Sequence, residues 1–133
     1  MAKSSDQQVE DDLNLLLNAC LSWANVSLEK NGDLSSCAFE VMEDGNARFV
    51  DFLESVDSLI GQLIDGRDYS RATAVAFATT LAETGQRAIR VLVEHRDGPS
   101  LCFDFPILSA EVGNPPKTGD PVITEAERQV WSD

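Results

Sequence analysis

The sequence predicts an α+β domain built on a single antiparallel sheet of about five strands, in the order α-β-β-α-β-β-β. Three observations carry that prediction. Residues 6–31 and 56–64 repeat apolar side chains at three- and four-residue steps, as amphipathic helices do. Short alternating runs flank two turn signals, Glu43-Asp44-Gly45-Asn46 and Arg96-Asp97-Gly98-Pro99, as in β-hairpins. Each helix has one apolar stripe to bury, so both helices are expected on one face of the sheet.

The chain has 133 residues, the usual size of one domain, and 43% hydrophobic content, enough for a core. Ten basic residues against 23 acidic ones give a net charge of -13. Such a charge repels nucleic acid and anionic membranes and favours a basic protein partner. No apolar run approaches the ~18 residues of a membrane span. The opening Met1-Ala2-Lys3-Ser4-Ser5-Asp6 lacks the charged-then-apolar pattern of a signal peptide, so the expected location is cytoplasmic. Cys20, Cys37 and Cys102 are odd in number and far apart, and they read as reduced thiols, Cys20 in the core and the others in strands. With a single His, they offer no zinc-ligand spacing, and no metal or cofactor is expected.

In chain order, Val9, Leu13, Leu16, Cys20, Trp23, Ala24 and Ser27 or Leu28 form the stripe of the first helix. Asp6, Glu10, Asp11 and Asp12 lie in its first turns, where negative charge suits the helix dipole. Lys30-Asn31-Gly32 is a fitting end. Leu15, Leu17 and Leu21 widen the stripe beyond what one sheet face needs, leaving apolar surface for a second element or a second subunit. Cys37–Met42 and Ala47–Phe52 form the first hairpin. Val56, Leu59, Ile60, Leu63 and Ile64 mark the second helix, with Glu54 and Asp57 at its start and Gly66-Arg67 at its end.

Residues 70–82 mix alanines with Val75, Phe77, Thr79 and Leu81 at alternate positions, and so predict a strand. Phe77 opposite Val93 would place Val75, Phe77 and Leu81 on the central apolar face and the alanines on the reverse. The hairpin over 88–108 is the centre of the fold. Its apolar pattern predicts Val93 opposite Phe103, Val91 opposite Phe105, Ile89 opposite Ile107 and His95 opposite Leu101, around an Asp97-Gly98-Pro99 turn. Pro115, Pro116, Gly119 and Pro121 then mark a stiff linker, and Thr124-Glu125-Ala126-Glu127 is a capping-box pattern predicting a short C-terminal helix. The chain accordingly divides into an α+β domain over 6–110 and a Pro-rich tail over 111–133.

Candidates for chemistry are few. Glu94-His95-Arg96-Asp97 resembles a catalytic cluster, but alternation sends His95 to the apolar face and its neighbours to the other. His95 therefore reads as structural, and no catalytic residue is assigned. The glycines are isolated, so no phosphate-binding loop is present in the sequence. Charge gives the one candidate surface. Arg67, Arg71, Arg87, Arg90 and Arg96 face only Asp68, Glu83 and Glu94 within that interval, five against three, a local +2 in a chain of -13. Arg71, Arg90, Leu92, Glu94, Arg96 and Asp104 would border an open sheet face suited to a partner, a second copy or an anion. The plainer reading pairs Arg90 with Asp104 or Glu94 across strands.

Ala88-Ile89-Arg90-Val91, Glu94-His95-Arg96-Asp97-Gly98 and a strand reaching Pro106 resemble a group of small bacterial proteins of unknown function. Gly32-Asp33 before Phe39, and the Asp44-Gly45 turn, look like that group's entry into its first hairpin, although the Pro and aromatic before Phe39 are lacking. The likeness spans roughly residues 10–108; it implies the same layout and supplies no activity. The reading that follows is a non-enzymatic binding or assembly domain acting as a homodimer. An immunity-type inhibitor of a basic partner, and a small anionic ligand binder or enzyme using the Arg-bordered face, are the alternatives.

Overall fold

The computed structural model describes residues 5–31, 36–52, 55–108 and 117–131. The elements run α1 (Ser5–Asn31), β1 (Cys37–Met42), β2 (Ala47–Phe52), α2 (Val56–Asp65), β3 (Ser70–Thr80), β4 (Arg87–His95), β5 (Ser100–Leu108), β6 (Lys117–Thr118) and β7 (Val122–Glu125). The α+β class, the antiparallel sheet and the order of its first seven elements are as predicted. Across the sheet the order is β2-β1-β3-β4-β5, with β6 and β7 both paired to β5 along its outer edge. The first hairpin therefore joins through β1 beside β3. Gly32, the expected end of α1, Glu54, expected at the start of α2, and most of the Pro-rich linker lie outside the described residues.

Contrary to expectation, the two helices lie on opposite faces. Strand alternation separates the core into two clusters. Leu16, Cys20, Ala24 and Leu28 of α1 pack with Cys37, Val41, Ala72, Ala74, Ala76, Ile89, Val91, Val93 and Phe105. Leu59 and Leu63 of α2 pack with Ala38 and Val75, with Phe77 and Leu92 beside them. Ala38, Val75 and Leu92 are the odd neighbours of residues in the first cluster, so they point through the sheet to the other side. The middle strands carry apolar side chains on both faces, and each face needs its own cover.

The faces of β3 are the reverse of the prediction. Ala72, Ala74, Ala76 and Ala78 stand opposite His95, Val93, Val91 and Ile89, and Phe77 stands opposite Arg90. Ala72, Ala74 and Ala76 lie under α1, where short side chains let a 27-residue helix settle close to the sheet. Val75 and Phe77 supply the bulk that the shorter α2 needs on the second face.

The central hairpin keeps its predicted faces but pairs two residues further along. Val91 faces Phe103, Val93 faces Leu101 and Ile89 faces Phe105. The observed register sets Arg90 against Asp104 and Leu92 against Cys102, matching charge with charge and apolar with apolar. The predicted one would have put Leu92 against Asp104. The turn is now Arg96-Asp97-Gly98, closed by His95 N–H donating to the Pro99 carbonyl at 3.1 Å.

The predicted C-terminal helix does not form. Val122–Glu125 instead pairs with Asp104 to Leu101, and residues 129–131 bend back onto the sheet. The open edge of β5 supplies backbone partners that a four-residue capping signal cannot match, and Val122, Ile123 and Thr124 are β-branched.

Candidate functional site

Side chains on the α2 face of the sheet fall into rows across the strands. One row reads Arg48, Glu40, Thr73, Glu94 and Ser100 from β2 to β5. The next reads Ala38, Val75, Leu92, Cys102 and Thr124, and the third Phe77, Arg90, Asp104 and Val122. The first row holds two buried carboxylates. Glu40 is 1% exposed, and its Oε1 lies 2.5 Å from Arg48 Nη2.

Glu94 is 4% exposed and is met by the C-terminal segment. Its Oε1 accepts from the Gln129 N–H at 2.7 Å and the Val130 N–H at 3.1 Å, and its Oε2 accepts from the Trp131 N–H at 2.7 Å. Three consecutive backbone donors converging on one carboxylate satisfy a charge that burial would otherwise penalise. Val130, 2% exposed, fills the hollow between α2 and β4, in one cluster with Leu63 and Val75. Arg67 Nη1 donates to the Val130 carbonyl at 3.0 Å. Arg128 donates through Nη1 to the His95 carbonyl at 3.0 Å and through Nη2 to the Gly98 carbonyl.

Further along the same face, Arg90 and Asp104 form a bidentate pair, Nε to Oδ1 at 2.8 Å and Nη2 to Oδ2 at 3.1 Å. The Asp104 carboxylate holds the Arg90 guanidinium above its usual pKa. The pair floors an open depression with Leu81, Gln86, Pro106 and Val122 on its rim. Burial pushes the Cys102 thiol up, and the Asp104 charge adds to it.

The six predicted residues do not form one surface. Arg90, Leu92, Glu94 and Asp104 share the α2 face, but the tail covers Glu94 and packs beside Leu92. Arg71 turns toward α1, where its Nε and Nη2 meet Asp12 at 2.8 and 2.9 Å, a contact that raises its pKa. Asp12 also receives His95 Nε2 at 2.9 Å. Because the Asp97 N–H donates to His95 Nδ1 at 3.0 Å, Nε2 carries the proton and donates to Asp12. His95 is thus structural in its contacts, with both ring nitrogens engaged. Arg96 lies at the turn with Glu43 and Asp97.

Asp12, Glu40, Arg128 and the backbone of 129–131 are the site residues that sequence reasoning missed. Asp12 had a signal: it lies four residues before Leu16 on the line Leu16, Cys20, Ala24, Leu28, which is buried throughout. Among the described residues, no group of three or more His, Cys, Asp or Glu is placed to hold a metal ion, and no helix is long and apolar enough to cross a membrane. Fold and site together define a two-faced α+β sheet domain with its own C-terminal segment docked on one face. Compared with protein families, curated proteins and solved structures, the chain has no match in any of the three.

Proposed function

We propose that this chain is a non-enzymatic binding and assembly domain that works as a homodimer, joined along the outer edge of its sheet. The observation that carries this reading is the apolar character of that edge. Val122 is 61% exposed, Ile123 is 55% exposed and Leu108 is 45% exposed, all on strands at the β5 margin. Beyond β7 no further strand pairs among the described residues, so one side of its backbone is open. An edge strand with exposed apolar side chains is a template for a second strand, and two copies related by a two-fold axis would pair β7 with β7 antiparallel.

The anion-binding and enzymatic alternative draws less support. The three arginines proposed for anion binding are each engaged by a carboxylate, Arg71 by Asp12, Arg90 by Asp104 and Arg96 by Glu43. His95 and Asp12, which resemble an acid/base pair, are buried with their polar atoms in mutual contacts. Sedimentation across a concentration series tests the reading. Dimerisation is expected, and Ile123→Lys should weaken it about tenfold or more, equivalent to ~1.4 kcal/mol. A chain that stays monomeric at high concentration overturns the proposal.

A further inference from the structure

The docking of residues 128–131 has the parts of a receptor and its ligand. The receptor comes from α2, β4 and the β4–β5 turn. It offers one buried carboxylate that reads backbone N–H groups, one hollow for an aliphatic side chain and two carbonyls, His95 at the end of β4 and Gly98 in the turn, that take a guanidinium. The ligand is a segment outside helix or strand, held by Arg128, by Val130 and by three consecutive N–H groups on Glu94. Most of the polar contacts use main-chain atoms, which any peptide possesses. What selects the segment is a basic residue, an aliphatic residue two positions on and an aromatic residue after it.

We propose that this surface is a peptide-binding site for a partner protein carrying a basic-x-aliphatic-aromatic segment, and that the chain's own Arg128-Gln129-Val130-Trp131 occupies it in cis. The site does not depend on edge pairing between copies. Charge decides for a basic partner over a second copy. Residues 117–131 hold Lys117 and Arg128 against Asp120, Glu125 and Glu127, two minus three or -1, and a second copy brings -13 toward -13. A basic segment enters with the opposite sign. Tethering gives the cis segment a local concentration on the order of millimolar, so a partner binds with its affinity reduced by the fraction of molecules whose site is open.

The test uses the full chain and a labelled synthetic peptide of residues 122–131 in which both acids are replaced, Glu125→Lys and Glu127→Lys. In the protein, Val130→Asp places a carboxylate beside Glu94 and expels the cis segment. The peptide is expected to bind this variant about tenfold or more tightly than the wild type, and Glu94→Gln in the same variant should remove about tenfold of that affinity. Equal binding to wild type and Val130→Asp, or undiminished binding after Glu94→Gln, overturns the proposal. A peptide with the natural acids that binds as tightly as the basic one assigns the site to a second copy and overturns the partner class. Should Val130→Asp fail to fold, hydrogen exchange on the wild type decides. The amides of Gln129, Val130 and Trp131 are expected to exchange by local opening, about tenfold or more faster than those of Val91 and Val93. Exchange at the same slow rate would mean the segment leaves only on global unfolding, and would overturn the proposal.

Discussion

Asp12 shows how a single side chain joins the two ends of the fold. It comes from the second turn of α1, and it binds Arg71 of β3 and His95 of β4 with 5% of its side chain exposed. Removing one partner of a buried ion pair leaves the other charge uncompensated, which costs roughly 3–5 kcal/mol. Asp12→Asn should therefore lower the unfolding free energy by that order, read as a lower urea midpoint with an unchanged m-value; a loss below ~1 kcal/mol would show the network to be idle. Cys20 gives the pH dependence. Its contact with the Cys37 thiol, then burial, hold its pKa well above the ordinary value. In the unfolded chain it titrates near ~8.5, so above that pH the unfolded state binds fewer protons and stability falls as pH rises. Cys20→Ala should flatten the stability profile above pH ~8.5 relative to wild type, and parallel profiles would contradict the assignment. At this scale the sequence was partly legible. The stripe around Asp12 was visible, but the burial of Glu94 depends on residues 35 to 37 positions away, which no local pattern reports.

Elements were legible in kind and less so in orientation. The central hairpin kept its faces because strand side chains repeat every two residues, so a shift of two leaves the pattern intact and only cross-strand pairing selects the register. On β3 the alternation alone points the bulky residues to the core face under α1, whereas a close helix rewards small ones. That difference is measurable. Ala76 is 0% exposed beneath α1, and Ala76→Leu should cost roughly 1–3 kcal/mol or more through overpacking, read as a lower melting temperature. On the predicted open face the same change would have been nearly neutral. The contact of α1 with the β4–β5 turn makes a second demand. A Cβ at Gly98 would come within 2.6 Å of Val9 Cγ1 and 3.3 Å of His95 Cβ. Gly98→Ala should destabilise by about 1–3 kcal/mol, and Val9→Ala should recover part of that loss in a double-mutant cycle; strict additivity would place the strain elsewhere. The tail misled for a related reason: the capping pattern at Thr124 is local, while the free edge of β5 is a tertiary opportunity.

At the scale of the whole molecule, net charge bears on every encounter. A charge of -13 on 133 residues opposes the approach of any polyanion, and it equally opposes a second copy of the chain. The apolar edge at Val122 and Ile123 must therefore associate against long-range repulsion, and salt becomes the discriminating variable. At 0.1 M salt the screening length is about 10 Å, and at 1 M about 3 Å, so repulsion between copies fades while apolar contact does not. Self-association through the edge should tighten as sodium chloride rises from low to molar concentration, and the melting temperature should rise with it as self-repulsion within the fold is screened. Binding to a basic partner has the opposite slope, because screening removes an attraction. Sedimentation at several salt concentrations, with Ile123→Lys beside wild type, separates the two. Dimerisation that weakens with salt would remove the apolar edge as its cause and turn attention to an oppositely charged surface.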